Sequence, residues 1–159
     1  MSYELKLTEL NIALPPAPAP VGAYVAAVRT GNLVFTAGQL PWRDGQLLAV
    51  GKVPTAVDVP SAQAAARQAV LNALSAVRAE VGTLDVVVRV VRLNVFVNSA
   101  AGFVDQAQVA NGASGLLTEI FGHAGRHTRV ALGAAELPLN SAVELDIVVE
   151  VAAVRDVAT

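Results

Sequence analysis

The chain has 159 residues, a net charge of −2 and no cysteine. This length predicts one domain that can bury a core, and the lack of cysteine excludes a disulfide framework, a thiolate nucleophile and a Cys-ligated zinc site. The eleven basic residues are scattered along the chain and form no stripe that could neutralise a row of phosphates, so we expect no nucleic acid partner.

The composition is unusually apolar for a globular protein. Hydrophobic residues make up 54% of the chain and charged residues 15%, against typical values of about 45–50% and about 25%. The N-terminus has no basic segment followed by an apolar one, and Arg89 and Arg92 interrupt the richest apolar run, so we expect no signal peptide, no membrane span and a cytoplasmic location. The apolar excess indicates an interface in a homo-oligomer; alanine and valine enrichment from codon bias is the alternative explanation.

The first twenty residues predict elements outside the main domain. Residues 2–11 carry leucines at helical spacing and predict a short amphipathic helix capped by Ser2. The proline-rich run 14–20 cannot continue that helix and predicts an extended connector over the surface. We therefore divide the chain into an N-terminal helix and connector, 1–20, and one domain, 21–159.

The next segment predicts β-structure. Two β-rich runs within 23–39 flank the dipeptide Gly31-Asn32, and this pattern is typical of a hairpin. Residues 40–60 include Asp44-Gly45 and short apolar pieces, which predict a loop or a minor hairpin.

Two segments have the spacing of helices. The first has Ser61 as its predicted N-cap and Gly82 as its terminator, with an apolar face opposite a mostly polar one that carries Arg67, Asn72, Arg78 and Glu80. The second helix is predicted over 104–121. Gly112 and Gly115 weaken it, and close packing would explain their presence.

Three further segments have the character of strands. Residues 84–97 predict a long strand in which Arg89 and Arg92 point to opposite faces, and 127–135 and 142–154 close the chain. The order ββαβαββ predicts one α+β domain with a mixed sheet and two helices on one face.

Charged side chains within these last strands are the best candidates for chemistry. Arg129 lies in an apolar strand, and its permanently charged guanidinium fits a substrate carboxylate bidentately. Glu144 alternates with buried positions, a pattern that is also typical of a solvated strand face. His123 and His127 are four residues apart, but Gly122 and Gly125 disfavour a helix there, so we expect no metal; we also expect no cofactor.

Taken together, these segments resemble the RidA/YjgF family, also described as endoribonuclease L-PSP-like. The resemblance runs from about residue 21 to residue 154 and rests on blocks that occur in order: Gly22-Ala23-Tyr24, Gly31-Asn32, Ala37 to Pro41, Ala66-Arg67-Gln68 through Asn72, Val95-Phe96-Val97, Asn111, Arg129, Leu137-Pro138, and Val143 to Asp146. The N-terminal helix, the connector and the segments Asn111-Gly112-Ala113-Ser114 and Gly125-Arg126-His127 are similar to those of a longer subgroup of that family.

The resemblance implies a chorismate-mutase-like fold, a homotrimer and clefts between subunits. It also implies hydrolysis of reactive 2-imino or 2-enamino acids to 2-oxo acids and ammonia. In that reaction the matched Arg129 would hold the substrate carboxylate and Glu144 would hold or activate water. Tyr24 would donate a hydrogen bond in the cleft, and Asn111 would supply amide contacts.

Some positions depart from the pattern of the active branch. Val25 and Val130 replace hydroxyl residues, and Ala131 replaces a cysteine found in many members. These changes leave open a non-catalytic protein that binds a 2-oxo acid or a related metabolite. A ribonuclease is a further alternative, disfavoured by the acidic charge balance and the lack of a histidine acid/base pair.

Overall fold

The computed structural model describes residues 2–17, 19 and 22–153. The predicted connector residues Pro18 and Pro20, the domain boundary at Val21 and the predicted strand end at Val154 lie outside these residues. The described part contains α1 (Tyr3–Glu9), β1 (Ala27–Thr30), β2 (Leu33–Thr36), β3 (Trp42–Arg43), β4 (Gln46–Leu47), α2 (Val59–Val81), β5 (Val87–Asn98), α3 (Gln106–Phe121), β6 (Thr128–Ala134) and β7 (Val143–Val151).

The main sheet has five strands in the order β1-β2-β7-β5-β6. β6 runs parallel to β5, and the other neighbours are antiparallel, which confirms the predicted mixed sheet. The predicted turn at Gly31-Asn32 joins β1 to β2, and Asp44-Gly45 joins the minor hairpin β3-β4. Helices α2 and α3 pack on one face of the main sheet, and the core lies between them and that face.

The other face of the sheet is open in the single chain and partly apolar. Val28, Phe35 and Val148 lie in register across β1, β2 and β7. Val88 and Leu132 add exposed apolar surface from β5 and β6. This outer face also carries Glu144, Asp146 and Glu150, as the alternation along β7 predicted.

Strand β5 differs from its prediction in two ways. Residues 84–86 form a 3-10 turn, so the strand begins only at Val87. Two irregularities in its pairing with β7 break the alternation of side chains, and the register then aligns Arg89 with Glu150 and Arg92 with Val148. The prediction that these arginines point to opposite faces is therefore wrong, because the irregularity between Val90 and Arg92 adds a residue to β5 and shifts the alternation of its side chains.

Helix α2 begins earlier than predicted. Asp58, and not Ser61, is the N-cap: its carboxylate accepts a hydrogen bond from the Ser61 backbone N–H at 2.7 Å. Pro60 fits the first turn because an N–H at that position would have no intrahelical acceptor, so the N–H that proline lacks is not missed. Asn72 was predicted on the polar face but is buried, where its amide donates to the carbonyls of Leu40 and Trp42 at 2.8 and 3.0 Å. This helix face therefore anchors the loop before β3.

Helix α1 packs on the domain through its apolar face. Ser2 caps it as predicted, accepting from the Leu5 N–H at 3.1 Å. Leu7 is buried, and the Tyr3 ring packs edge-on against Phe121 with a centroid distance of 4.6 Å. None of the helices in the described residues has the length and apolar character needed to cross a bilayer.

The glycines of α3 have different surroundings. A methyl group on Gly112 would overlap the backbone of Gln63 in α2, whereas nothing lies within 4 Å of one on Gly115. Close packing was therefore the correct explanation for Gly112 and the wrong one for Gly115.

This difference gives a matched pair of substitutions. Gly112→Ala is expected to lower the free energy of unfolding by about 1–3 kcal/mol, because the clash is with backbone and forces the helices apart. Gly115→Ala is expected to raise it by about 0.5–1 kcal/mol, because alanine favours an exposed helix interior. Chemical denaturation of both variants tests this, and equal effects of the two changes would contradict the close approach of α2 and α3.

Candidate functional site

Arg129 lies on β6, the edge strand next to β5. It is aligned with Leu93, whose side chain is fully buried, so Arg129 points to the helix side of the sheet. There its Nη1 atom donates to the Asn111 Oδ1 at 2.9 Å and to the Ser114 Oγ at 3.0 Å. Asn111 and Ser114 are three residues apart on α3 and therefore share one face of that helix.

The guanidinium of Arg129 carries an unneutralised charge. In the part of the chain that the structure describes, no carboxylate lies within 4.0 Å of it. Both hydrogen bonds use Nη1, and the opposite edge, formed by Nε and Nη2, has no hydrogen-bond partner among the same residues. This edge has the two parallel donors that a carboxylate accepts bidentately.

Two residues that the sequence did not nominate complete this group. Ser114 was not singled out as a site residue, and His127 was considered as a possible metal ligand. The imidazole is instead half-buried, with its Nε2 atom 3.0 Å from the Ser114 Oγ. We call Arg129, Asn111, Ser114 and His127 the arginine cluster.

Glu144 lies on β7 and faces the outer side of the sheet, aligned with Phe96. It borders a cavity of about 410 Å³ that Gly38 and Tyr24 also line. Leu139 lies at the same cavity with a positive φ of 56°, an unusual backbone conformation for a branched side chain. We call Glu144, Gly38 and Tyr24 the glutamate cluster.

The environment of Glu144 favours its neutral form. Burial raises the pKa of the Glu144 carboxyl above its ordinary value, and the nearby Asp146 carboxylate raises it further. Burial also raises the pKa of Asp146, while a hydrogen bond from Asn94 and the charge of Arg92 act in the opposite direction. A carboxylate whose pKa is moved towards neutrality is better suited to exchange protons with water near neutral pH.

Gly38 leaves the space that Glu144 occupies. The backbones of Gln39 and Leu145 exchange hydrogen bonds of 2.7 and 3.1 Å, which hold the chain after β2 against β7. A methyl group on Gly38 would overlap the Glu144 Oε1 atom. The position of the carboxylate therefore depends on this glycine.

Substitution of Gly38 is expected to affect activity more than stability. In Gly38→Ala the end of a flexible side chain has to yield, so the Glu144 carboxylate moves while the backbone stays in place. We expect a loss in kcat/KM on the order of 10²-fold, the cost of displacing a reacting group by about 1 Å, with little change in Tm. Full activity in this variant would mean that Glu144 does not act from its present position.

A single chain does not bring the predicted site residues together. Arg129 and Asn111 lie on the helix side at the sheet edge, whereas Glu144 and Tyr24 lie on the cavity of the outer side. Neither Arg129 nor Asn111 lines that cavity. The chain thus presents the predicted site residues as two separate groups.

Val130 and Ala131, which depart from the family pattern, point to opposite faces of the sheet. Val130 is aligned with Asn94, and its side chain points away from the face that carries the Arg129 guanidinium. Ala131 shares the face of Arg129 and offers no thiol there. Within the described residues, no three histidine, aspartate or glutamate side chains come together as a metal-binding group.

Comparisons with known proteins agree on one family. The family model "YjgF/chorismate_mutase-like, putative endoribonuclease" matches residues 4–151. The Trypanosoma cruzi protein TCP17 is 46% identical over 145 residues, which is 91% of each chain.

Solved structures give the same result. The Agrobacterium tumefaciens protein Atu1372, of unknown function, is 43% identical with a TM-score of 0.87, over 94% of this chain and 92% of that one. The structure of E. coli TdcF with bound serine is 25% identical with a TM-score of 0.63, over 86% and 94%. The chain belongs to the YjgF/chorismate-mutase-like family and has its α+β fold.

Proposed function

We propose that this protein hydrolyses small reactive 2-imino and 2-enamino acids to 2-oxo acids and ammonia. The observation that carries the proposal is the Arg129 guanidinium, which neutral groups hold on one side while its other edge lacks a partner among the described residues. A buried or half-buried cation without an anion is costly. A substrate carboxylate is the anion that fits this edge.

The complete site forms between subunits of a homotrimer. The arginine cluster of one subunit meets the glutamate cluster of the next, so the interface joins two different patches. Such a heterologous contact closes into a ring when the rotation permits. The apolar outer face, with Val28, Phe35, Val88 and Leu132, supplies surface for this contact and accounts for the apolar composition.

The reaction needs orientation and proton transfer more than a nucleophilic side chain. The imine carbon is already electrophilic, and Arg129 fixes it through the adjacent carboxylate. Water adds to the protonated imine, and Glu144 accepts a proton from that water as the C–O bond forms, which gives a neutral carbinolamine. Glu144 returns this proton to the amine, the C–N bond breaks to release ammonia, and the hydroxyl gives its proton back to Glu144 as its oxygen becomes the carbonyl of the 2-oxo acid. Tyr24 donates a hydrogen bond within the same cavity.

A relative supports the class of ligand. TdcF from E. coli holds serine in its crystal structure. Serine carries an α-carboxylate, the group that we propose Arg129 binds. It also carries an α-nitrogen at the position where an imino acid has its reactive nitrogen. A small 2-imino acid therefore matches both the ligand of that relative and the cation in this chain.

A coupled assay tests the proposal. An amino acid oxidase generates imino acids from several small amino acids in the presence of the protein, and 2-oxo acid formation is followed in time. We expect acceleration over the uncatalysed hydrolysis for at least one small aliphatic substrate. The same rate with and without protein, across the whole set of imines, would contradict the proposed reaction.

A non-catalytic binding protein is the second candidate. Ala131 and Val130 supply neither the thiol nor the hydroxyl that active relatives carry beside the arginine, which favours binding without turnover. Saturable binding of pyruvate or 2-oxobutyrate by a protein inactive on every imine would support this candidate. RNA cleavage has less support, because the chain has a net charge of −2 and no basic stripe.

A further inference from the structure

The arginine cluster continues behind Arg129 as a chain of hydrogen bonds. The His127 Nδ1 atom lies 2.6 Å from the Gly125 carbonyl oxygen, and its Nε2 atom lies 3.0 Å from the Ser114 Oγ. The same hydroxyl accepts from the Arg129 Nη1 at 3.0 Å. A continuous path therefore joins a backbone carbonyl to the guanidinium.

The direction of each bond in this path is fixed by chemistry. A carbonyl can only accept, so the Nδ1 atom of His127 carries the hydrogen, and in a neutral imidazole Nε2 can then only accept. The Ser114 hydroxyl must donate its one hydrogen to Nε2. Its oxygen is left to accept from Arg129, which can only donate.

The surroundings keep His127 neutral. Burial lowers the pKa of His127 from its ordinary value of 6.5 and the charge of Arg129 lowers it further, while the Gly125 carbonyl opposes them. The cavity on the other side of His127 is lined by Arg89, Arg126 and Glu150. Helix α3 carries a single titratable side chain, Glu119, which pairs with Arg67 at 2.9 Å.

Protonation would oppose this arrangement. A protonated His127 turns Nε2 into a donor, so the Ser114 oxygen would have to accept from two cations, and the serine hydrogen would lose its acceptor. The protonated imidazole would also place a second positive charge close to the Arg129 guanidinium. The orientation of the guanidinium thus depends on a neutral His127.

We propose that Ser114 and His127 are positioning residues that orient the Arg129 guanidinium towards the substrate carboxylate. This inference rests on the proposed function, and it adds a role for two residues that the reaction does not require as catalysts. Both residues are expected to affect the affinity for the substrate carboxylate and not the chemical step, because Arg129 binds the same group in the ground state and in the transition state.

Four variants test the proposal. Ser114→Ala and His127→Phe break the path, Ser114→Thr keeps the hydroxyl, and His123→Gln removes the exposed histidine outside the path. For the first two we expect KM for the imino acid to rise about tenfold, as for loss of one hydrogen bond to a charged group, with kcat changed less than about threefold. We expect Ser114→Thr to recover most of the affinity that Ser114→Ala loses, and we expect His123→Gln to stay near wild type.

The pH dependence separates positioning from simple packing. In the wild type and in His123→Gln, KM is expected to rise as pH falls through the depressed pKa of His127, below 6.5. This dependence should vanish in His127→Phe. A KM within about twofold of wild type in both Ser114→Ala and His127→Phe, or an unchanged pH profile, would overturn the proposal.

A readout without turnover separates this inference from the proposed function. Should no imine be hydrolysed, calorimetric binding of pyruvate to the same variants replaces KM, and nitrogen-15 spectra of the two histidines report their tautomers. We expect the Nδ1–H form for His127 and a titration midpoint below its ordinary value of 6.5. An Nε2–H form, or a midpoint at or above 6.5, would overturn the proposed path whatever ligand the protein takes.

Discussion

Arg129→Ala is expected to lower kcat/KM for small 2-imino acids by roughly 10²–10⁴-fold. A bidentate pair makes two charge-assisted hydrogen bonds of about 1.5–3 kcal/mol each, and the variant loses both. Arg129→Lys should recover little of this activity, because an ammonium keeps the charge but not the planar fork. Initial rates in the coupled assay, with light scattering to verify the assembly, measure the effect.

The control for charge is a nearby arginine. Arg126→Ala removes an exposed cation three residues before Arg129 and should leave kcat/KM within about threefold of wild type, as surface charges contribute little. Equal losses in the two variants would mean that general positive potential, and not a specific contact, draws the substrate. Unchanged rates in Arg129→Ala would remove this arginine from the mechanism.

Glu144→Gln is expected to lower kcat by roughly 10²–10⁴-fold, the usual contribution of a general base. The amide keeps the shape of the side chain but cannot accept the proton of the attacking water. Its assembly and Tm should remain close to those of the wild type, so that the loss reports on chemistry. A variant that keeps most of its kcat would show that water is activated elsewhere.

The pH profile gives a second test of Glu144. The carboxylate is the active form, and it is lost as pH falls through its pKa, which burial and then Asp146 raise above the ordinary 4.5. The acid limb of the rate profile should therefore lie above pH 4.5. In Asp146→Asn one of these causes is removed, so the limb should move to lower pH. A limb that does not move would mean that another group controls the profile.

Regular alternation makes the outer elements predictable from the sequence. Residues 143–151 have an apolar side chain at every second position and an acid at three of the four positions between them, and this pattern predicts the face on which Glu144 lies. Residues 128–134 contain no such alternation, so the sequence could not tell to which face Arg129 points. Only the register of β6 against β5 shows that Arg129 and Glu144 lie on opposite faces of the sheet.

The differences between the predicted and the observed elements have local causes. Asp58 and Ser61 are both good N-caps, and Pro60 between them fits either a loop or a first turn, so the start of α2 could not be decided. The bulges of β5 leave no mark in a run of valines. Asn72 is polar by type but buried because two carbonyls of the loop before β3 lie over it, a contact between segments about 30 residues apart.

Two of the candidate site residues that the sequence missed have uncharged side chains. Gly38 and Ser114 matter because of the groups that they approach: the Glu144 carboxylate in one case, Arg129 and His127 in the other. The three-residue spacing of Asn111 and Ser114 was the available signal, because it places both on one face of α3. It acquires meaning only once Arg129 is known to face that helix.

The central claim is that one subunit supplies Arg129 and its neighbour supplies Glu144. Co-expression of Arg129→Ala and Glu144→Gln chains with different tags, followed by purification on both tags, isolates mixed trimers. Around each mixed ring, one of the three contacts pairs an intact Arg129 with an intact Glu144. We predict about one third of the wild-type activity from two inactive parents. Mixed trimers no more active than the parents would contradict a shared site.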